Sequence, residues 1–445
     1  MRVVIINKSD RRGGAAVVSF RLMEALREQG VDARMLVVEK LSDSPYVECL
    51  DKDKISAAKI KWKFLAERLK IFMENGFNRS TLFRIDTGEE GLPLWRHPLV
   101  MSADGVLINW VNQGMLSLKG FRKILQLGKP VVWTMHDMWE MTGICHHAGL
   151  CRHYERECGN CPLLGARASK NDLSRKILTR KLKIYSDRSL NHRLAFVAVS
   201  NWLKDKAMES TLLRTQRVEV IGNAFRVKKI SQSEDTRDSV ELDKTGSEKS
   251  IRLLFGAARL DDPIKGLDTL KDAVNLLKRE KPDVGSKIEL ATFGDIKNST
   301  ALDGFEIPVV RLGVLKGETE VRKAYERADI LVSASEYETL PGTLVEAQAY
   351  GCVPVSFNQG GQRDIMEDGK TGIIVDYSEN KSERASNLAD GILRAVRIVE
   401  DPERLNAVKK EMEESVIRKF SYQSVASRYI ELISSLQKDL YGISN

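Results

Sequence analysis

The sequence of 445 residues lacks the features that mark membrane-spanning, secreted or repetitive chains. No apolar run approaches the roughly 18 residues that a membrane-spanning helix needs. The apolar start at residues 3–6 stops at Asn7, which is too short for a secretion signal. There is no repeat of fixed period, and the only low-complexity tract is a polar stretch at residues 231–250. We therefore expect a cytoplasmic globular protein of two or three domains, in which the first apolar run is a buried strand.

Charge is distributed unevenly along the chain. The formal net charge is +8, but residues 1–223 carry 37 Lys and Arg against 24 Asp and Glu, a charge of +13, whereas residues 224–445 carry −5. The first half is therefore expected to favour an anionic partner. Nucleic acid, an anionic membrane surface and a phosphorylated substrate all satisfy this condition, and charge alone does not choose among them.

Short runs rich in Val and Ile alternate with segments of helical period in both halves, which predicts parallel sheets covered by helices. The predicted strands are residues 3–6, 33–38, 105–108, 131–135, 195–199 and 218–221, then 252–255, 288–293, 309–312, 330–332, 353–356 and 373–375. We predict an α/β protein with two doubly wound, Rossmann-like domains that face a cleft. Its expected parts are a first domain at 1–223, a linker at 224–250, a second domain at 251–420 and a C-terminal helix at 421–445 that returns to the first domain.

The second half contains two charged elements, each of which follows a predicted strand and precedes a helix. The first element contains Arg259 and Lys265, two cations suited to holding a diphosphate. The second contains Glu338 and Glu346, separated by seven residues, with a helix that begins near Gly342 and Thr343. A helix start offers unpaired backbone N–H groups and a positive dipole end, so Gly342 and Thr343 are candidates for binding phosphate.

Two features of the first half also follow predicted strands. Gly13 and Gly14 permit a tight turn and a close approach of the backbone to a ligand. His136 stands at the carboxyl end of the strand at 131–135, where doubly wound sheets bind their ligands. Asp137 beside it is a candidate for contacting an acceptor hydroxyl, and Asn109 ends the preceding strand.

The elements of the second half, in this order and at this separation, resemble glycosyltransferase family 4, whose members are retaining enzymes with the GT-B fold. Arg259, Lys265-Gly266, Glu338 and the helix Glu346-Ala347-Gln348-Ala349-Tyr350-Gly351 carry the resemblance. It implies that Arg259 and Lys265 hold the diphosphate of a nucleotide-sugar and stabilise the leaving group. It also implies that Glu346 binds the ribose hydroxyls and that Glu338 contacts the donor sugar.

The resemblance extends to the first half and to the reaction. It implies that Gly13 and Gly14 face the donor diphosphate across the cleft, that His136 orients or polarises the donor sugar, and that no catalytic metal is needed. The implied activity is the transfer of a hexose from a nucleoside-diphosphate sugar to a saccharide or lipid-linked saccharide in bacterial surface polysaccharide biosynthesis. Two alternatives stay open, a nucleotide-sugar epimerase and a non-catalytic GT-B protein that binds membrane or nucleic acid. The four charged residues argue against the second, so no nucleic-acid partner is expected.

Four of the six cysteines lie within seventeen residues, at positions Cys145, Cys151, Cys158 and Cys161. In a chain without a secretion signal, thiolates at such spacing are typical of a structural zinc site. Disulfides or free thiols are the alternative, and a neighbouring histidine at position 146, 147 or 153 could replace one cysteine. The insert resembles that of a capsule and exopolysaccharide subgroup of the family.

Residues 57–73 form a predicted helix that carries lysines among large apolar residues. Such a helix can lie on an anionic leaflet. It can equally pack on the core and extend its lysines into water. The first interpretation agrees with a peripheral enzyme on the inner face of the plasma membrane.

Overall fold

A computed structural model describes residues 1–51, 53–227 and 250–441. The chain divides into two compact units, Met1–Ala224 with Tyr422–Asn445, and Phe225–Ser421. We call them the N-terminal unit and the C-terminal unit. Most of the predicted linker at 224–250 lies outside the described residues. Among the described helices, none is both long enough and apolar enough to cross a membrane.

The N-terminal unit is built on a parallel sheet of seven strands in the order β3-β2-β1-β4-β5-β6-β7. Its central strands are almost entirely buried because helices cover both faces, which explains their continuous apolar runs. The strands are β1 (Arg2–Ser9), β2 (Asp32–Glu39), β3 (Val47–Cys49), β4 (Gly105–Ile108), β5 (Val131–Met135), β6 (Leu194–Ala198) and β7 (Val218–Val220).

The helices of this unit begin at residues suited to capping. Asp53, Ser117, Asp172 and Ser200 each accept hydrogen bonds from backbone N–H groups of the first turn. The helices are α1 (Gly14–Glu28), α2 (Lys54–Glu74), α3 (Pro98–Ser102), α4 (Leu118–Leu125), α5 (Leu173–Tyr185) and α6 (Asn201–Glu209).

The last helix of the chain, which we call α14 (Tyr422–Tyr441), belongs to the N-terminal unit. Its apolar face joins the core formed by β1, β2 and α1. The Tyr429 hydroxyl lies 2.9 Å from the hydroxyl of Thr134, a residue of β5 that precedes His136 by two positions. The two ends of the chain therefore build one core.

The C-terminal unit contains a parallel sheet of six strands in the order β10-β9-β8-β11-β12-β13. The strands are β8 (Ile251–Arg259), β9 (Ile288–Asp295), β10 (Val309–Gly313), β11 (Ile330–Ser333), β12 (Val353–Phe357) and β13 (Ile373–Val375). The helices are α7 (Leu267–Glu280), α8 (Pro282–Gly285), α9 (Gly317–Glu326), α10 (Gly342–Ala349), α11 (Gln362–Ile365), α12 (Lys381–Val399) and α13 (Pro402–Phe420).

These two parallel sheets confirm the predicted fold class. In each sheet the strand order reverses beside the first strand, between β1 and β4 and between β8 and β11. Ligands of doubly wound sheets bind at such points, outside the carboxyl ends of the strands. The strand β3 is the one described strand that the sequence pattern did not predict.

Candidate active site

The two charged elements of the C-terminal unit lie side by side at the carboxyl ends of β8 and β11. The backbone N–H of Glu336 donates to the carbonyl oxygen of Ile264 at 2.9 Å, which joins the two loops. Gly266 is needed where they meet, because its φ is 72° and a Cβ there would lie 2.0 Å from the Ala334 carbonyl oxygen. The local sequence thus holds Lys265 against the residues that follow β11.

Lys265 and Glu338 form an ion pair in which Nζ and Oε1 are 2.6 Å apart. Both side chains remain partly exposed, 30% for Lys265 and 21% for Glu338. The backbone of Glu338 is held in place, since the Gly361 N–H donates to its carbonyl oxygen at 3.0 Å. An incoming anion would therefore compete with a fixed carboxylate for the Lys265 ammonium.

A pocket of about 150 Å³ lies beside this ion pair. Lys265 and Glu338 line it, together with residues of β8 and β11 and with Gly342 and Thr343 of α10. Pro341, the residue before α10, supplies no side-chain cap, and the first N–H groups of a helix have no partner inside it. The pocket, which we call the α10 pocket, therefore combines a cation, a carboxylate and the positive end of a helix, an arrangement that suits a phosphate joined to a polar group.

Arg259 and Glu346 do not line the α10 pocket. The guanidinium of Arg259 is turned toward two neighbouring carboxylates, with Nε 3.4 Å from Asp261 and Nη2 3.8 Å from Asp262. It is 39% exposed. The structure therefore brings together Lys265, Glu338, Gly342 and Thr343, and it places Arg259 with the acidic residues of its own loop.

Glu346 lies on α10 and accepts a hydrogen bond from the hydroxyl of Tyr325 at 3.2 Å. Tyr325 is fully buried on α9 and stacks on Tyr350, with ring centroids 5.8 Å apart. Burial, and then the Glu346 carboxylate, raise the pKa of Tyr325, so its proton stays in place as a donor. Tyr325 is a residue that sequence reasoning missed, because a tyrosine in a helix of ordinary period carries no local signal.

The glycine turn of the N-terminal unit has the geometry that its sequence suggested. Gly13 precedes α1 with a φ of 89°, which favours glycine, and a Cβ on Gly13 or Gly14 would meet no atom within 4 Å. Both residues are exposed. The start of α1 is therefore open to a ligand.

His136 follows β5 and is held by Asn109, which follows β4. The His136 Nε2 and Asn109 Oδ1 atoms are 2.8 Å apart, so the amide oxygen accepts a hydrogen bond from the ring N–H. Burial lowers the pKa of His136 to about 4, although Asp137 acts in the opposite direction. A small cavity beside the ring is lined by Asn109, His136, Asn223 and Tyr429. The imidazole is therefore neutral at pH 7 and fixed in one tautomer.

Asp137 is buried, and its carboxylate accepts hydrogen bonds from three described residues. It accepts from the Trp139 N–H at 2.8 Å, from the Trp110 indole at 3.0 Å and from the His146 ring at 2.9 Å. Burial opposes its charge, but His146 and these hydrogen bonds lower the pKa of Asp137 to about 2. Asp137 thus ties the loop after β5 to the cysteine-rich insert, and its contact with an acceptor hydroxyl stays a prediction.

The four clustered cysteines are free thiols, and Cys158 and Cys161 are buried. Burial raises the pKa of Cys145 and Cys161 to about 12 and that of Cys158 to about 11. Within the described residues, no group of three or more His, Cys, Asp or Glu side chains is arranged to hold a metal ion. The zinc site therefore remains a prediction from spacing, and His146 is engaged with Asp137.

Two family models match the chain, one in each half. Residues 12–229 match the model described as Glycosyltransferase Family 4, and residues 251–397 match the model described as Glycosyl transferases group 1. The chain belongs to glycosyltransferase family 4. This finding confirms the family and the enzyme class that the sequence motifs indicated.

One curated relative and two solved structures match this glycosyltransferase along most of their length. The putative colanic acid biosynthesis glycosyl transferase WcaC of Escherichia coli (strain K12) is 23% identical over 384 residues, which cover 83% of this chain and 87% of WcaC. The crystal structure of a glycosyltransferase from Rickettsia africae ESF-5 has a TM-score of 0.61, with 14% identity and 98% of each chain covered. Anabaena HepE, solved in complex with UDP and glucose, has a TM-score of 0.57 and 14% identity over 98% of this chain and 100% of HepE. The two solved structures show that the fold is shared.

Proposed function

We propose that this glycosyltransferase transfers a hexose from a UDP-sugar and binds the diphosphate of that donor in the α10 pocket. The observation that carries the proposal is the Lys265–Glu338 ion pair beside the open start of α10. A cation and a helix N-terminus attract the diphosphate, and a carboxylate at the same place can bind sugar hydroxyls. The HepE complexes with UDP and glucose and with UDP-glucose support the choice of uridine.

Each charged residue has one role in this proposal. Lys265 binds the diphosphate and stabilises the charge that develops on it as the bond to the sugar breaks. Arg259 also binds the diphosphate. Its present partners, Asp261 and Asp262, are weak because they lie at 3.4 and 3.8 Å, so phosphate oxygens can replace them. Glu346, oriented by Tyr325, accepts from the ribose hydroxyls, and Glu338 positions the sugar.

The mechanism that we propose is a front-face displacement with retention of the anomeric configuration. The diphosphate leaves on the side from which the acceptor hydroxyl attacks and takes the proton of that hydroxyl. Two cations and a helix N-terminus supply the positive charge that a divalent metal supplies in other transferases. His136, neutral and fixed by Asn109, acts as a hydrogen-bonding group toward the transferred sugar.

We further propose that the acceptor is a saccharide linked through a diphosphate to a lipid, and that the enzyme acts in surface polysaccharide synthesis at the inner face of the plasma membrane. The similarity to WcaC supports the pathway. The charge of +13 in residues 1–223 supports an acceptor side that attracts phosphate and anionic lipid.

A screen of UDP-, GDP-, ADP- and TDP-sugars by thermal shift tests the donor assignment. We expect the melting temperature to rise with UDP-sugars and to rise less with the other three. Transfer of labelled sugar to lipid extracts, with the product linkage determined by NMR, tests the reaction. Epimerisation or release of the sugar without any acceptor would favour an epimerase, and the absence of any shift would contradict the donor pocket.

A further inference from the structure

Helix α2 exposes five large apolar side chains to solvent and buries two charged side chains against the protein. Glu67 and Arg68 are buried, whereas Ile55, Trp62 and Leu69 are 82%, 65% and 58% exposed. Seven of the eighteen large apolar side chains that are exposed in the described chain fall within residues 55–83. They are Ile55, Trp62, Leu65, Leu69, Met73, Phe77 and Phe83.

Five of these residues lie on α2 and form a continuous row. Positions 55, 62, 65, 69 and 73 share one face of a helix with 3.6 residues per turn, and that face is opposite the buried residues 67 and 71. Phe77 continues the row just beyond the helix with its ring 60% exposed, in the left-handed region at a φ of 64°. That conformation is uncommon for a bulky residue, and here it belongs to the turn that ends α2, in which the Phe77 N–H donates to the Phe72 carbonyl oxygen at 2.8 Å.

Lysines border the row on both sides. By helical position, Lys59 lies on one flank and Lys54 and Lys61 lie on the other, and all three are exposed. The lysines closer to the protein are neutralised, since Lys63 pairs with Glu90 at 2.7 Å and Lys70 pairs with Glu89. The positive charge of α2 is therefore concentrated beside its exposed apolar row.

We propose that this outer face of α2, with Phe77, binds the surface of an anionic lipid bilayer. An apolar row with an aromatic residue, bordered by lysines, matches the boundary between acyl chains and anionic headgroups. A second copy of the chain fits less well, because two such faces would bring lysine against lysine.

The inner face of α2 connects the bilayer to the strand ends of the N-terminal unit. Arg68 donates to the Asp86 carboxylate at 2.8 Å, and Asp86 accepts from the Gln113 N–H at 2.7 Å. Lys8, at the end of β1, donates to the Gln113 carbonyl oxygen at 2.9 Å. Docking would therefore hold the loop after β4 about one helix diameter, or roughly 10 Å, from the lipid headgroups. Delivery of a lipid-linked acceptor to this loop rests on the proposed function, whereas bilayer binding does not.

Vesicle co-sedimentation of the full-length protein tests the proposal. We expect binding to vesicles of phosphatidylglycerol and phosphatidylcholine in equal parts, and at least tenfold weaker binding to phosphatidylcholine alone. The variants Trp62→Ser/Leu69→Ser and Lys59→Glu/Lys61→Glu should each bind the anionic vesicles at least tenfold more weakly than the wild type. The matched controls, Met101→Ser/Leu150→Ser and Lys281→Glu/Lys410→Glu, alter residues that are equally exposed elsewhere and should bind like the wild type.

Undiminished binding by both α2 variants would overturn the proposal. The proposal would also be overturned if the wild type sedimented as a dimer and bound no vesicles while the variant Trp62→Ser/Leu69→Ser sedimented as a monomer. In that case a second copy of the chain would cover the face. Thermal shift with UDP-glucose on the same variants separates this outcome from failure of the proposed function. If the α2 variants show a normal thermal shift with UDP-glucose and bind vesicles like the wild type, only the docking surface is refuted. If the wild type shows no thermal shift with UDP-glucose, only the donor assignment is refuted.

Discussion

The ammonium of Lys265 lies 2.6 Å from the carboxylate of Glu338, across the mouth of the α10 pocket. Each of these residues follows a different strand, and the hydrogen bond from Glu336 to Ile264 holds their loops together. In the absence of donor, the two charges neutralise each other. Binding of a diphosphate would replace one partner of Lys265 by another, and it would leave Glu338 free for the sugar.

Replacing Glu338 by glutamine should separate nucleotide binding from transfer. We expect Glu338→Gln to bind UDP as tightly as the wild type or a fewfold more tightly, because Lys265 loses its competing partner. Transfer should fall at least about 100-fold, because the sugar loses a charged hydrogen-bond partner. Calorimetry with UDP and a transfer assay measure the two effects, and a parallel loss of both would show that Glu338 serves the pocket only as a structural residue.

Removal of the Tyr325 hydroxyl should weaken nucleotide binding through Glu346. Tyr325→Phe keeps the buried ring and its stacking on Tyr350 but removes the donor at 3.2 Å, a loss of about 1 kcal/mol or roughly fivefold in Kd for UDP. Tyr46→Phe, at an exposed ring of the N-terminal unit, is the matched control and should leave Kd unchanged. Equal values of Kd for Tyr325→Phe and the wild type would remove Tyr325 from the site.

His136 should make stability depend on pH between about 4 and 6.5. Its pKa in the folded protein is about 4, below the ordinary value of 6.5, so the unfolded chain binds more protons in this range and stability rises with pH. Urea unfolding at pH 4.5 and 6.5 should show a smaller rise for His136→Gln than for the wild type. His192→Gln, at an exposed position, should retain the full rise. An unchanged rise in His136→Gln would mean that the ring is not buried in its neutral form.

The cysteine cluster is expected to bind zinc. Metal analysis of protein purified without chelator should find about one zinc per chain, and a chelator should release it and expose four thiols to titration. Cys158→Ser should reduce the zinc content, whereas Cys49→Ser, at a lone cysteine outside the cluster, should not. The site would be refuted if the purified protein contained no zinc and all four thiols reacted with a thiol reagent before any chelator was added.

The sequence predicted the central strands of both sheets well because they are buried on both faces and read as continuous apolar runs. It missed β3, which has only three residues and contains Glu48. It also left open which face of α2 is buried. Periodicity reveals that a helix has two faces, but which face is buried depends on partners elsewhere in the chain. On α2, Arg68 donates to Asp86 and Glu67 accepts from Thr87.

The candidate site was predictable to a similar degree. Motif spacing identified Lys265, Glu338 and the start of α10, because each follows a strand of one sheet and must lie at its carboxyl edge. Side-chain directions could not be read in this way, so the turn of Arg259 toward Asp261 and the contact of Glu346 with Tyr325 emerged only from the structure. Tyr429 contacts Thr134 of β5, although the two residues are 295 positions apart in the sequence. No local sequence pattern predicts such a contact.

The central claim is that Lys265 binds the diphosphate of the donor. Titration of UDP into the wild type, Lys265→Ala and the exposed control Lys281→Ala by calorimetry tests it most directly. Loss of a charge-assisted hydrogen bond predicts a Kd for Lys265→Ala that is about 10- to 100-fold weaker than that of the wild type and of the control. Equal values of Kd in all three proteins would contradict the claim.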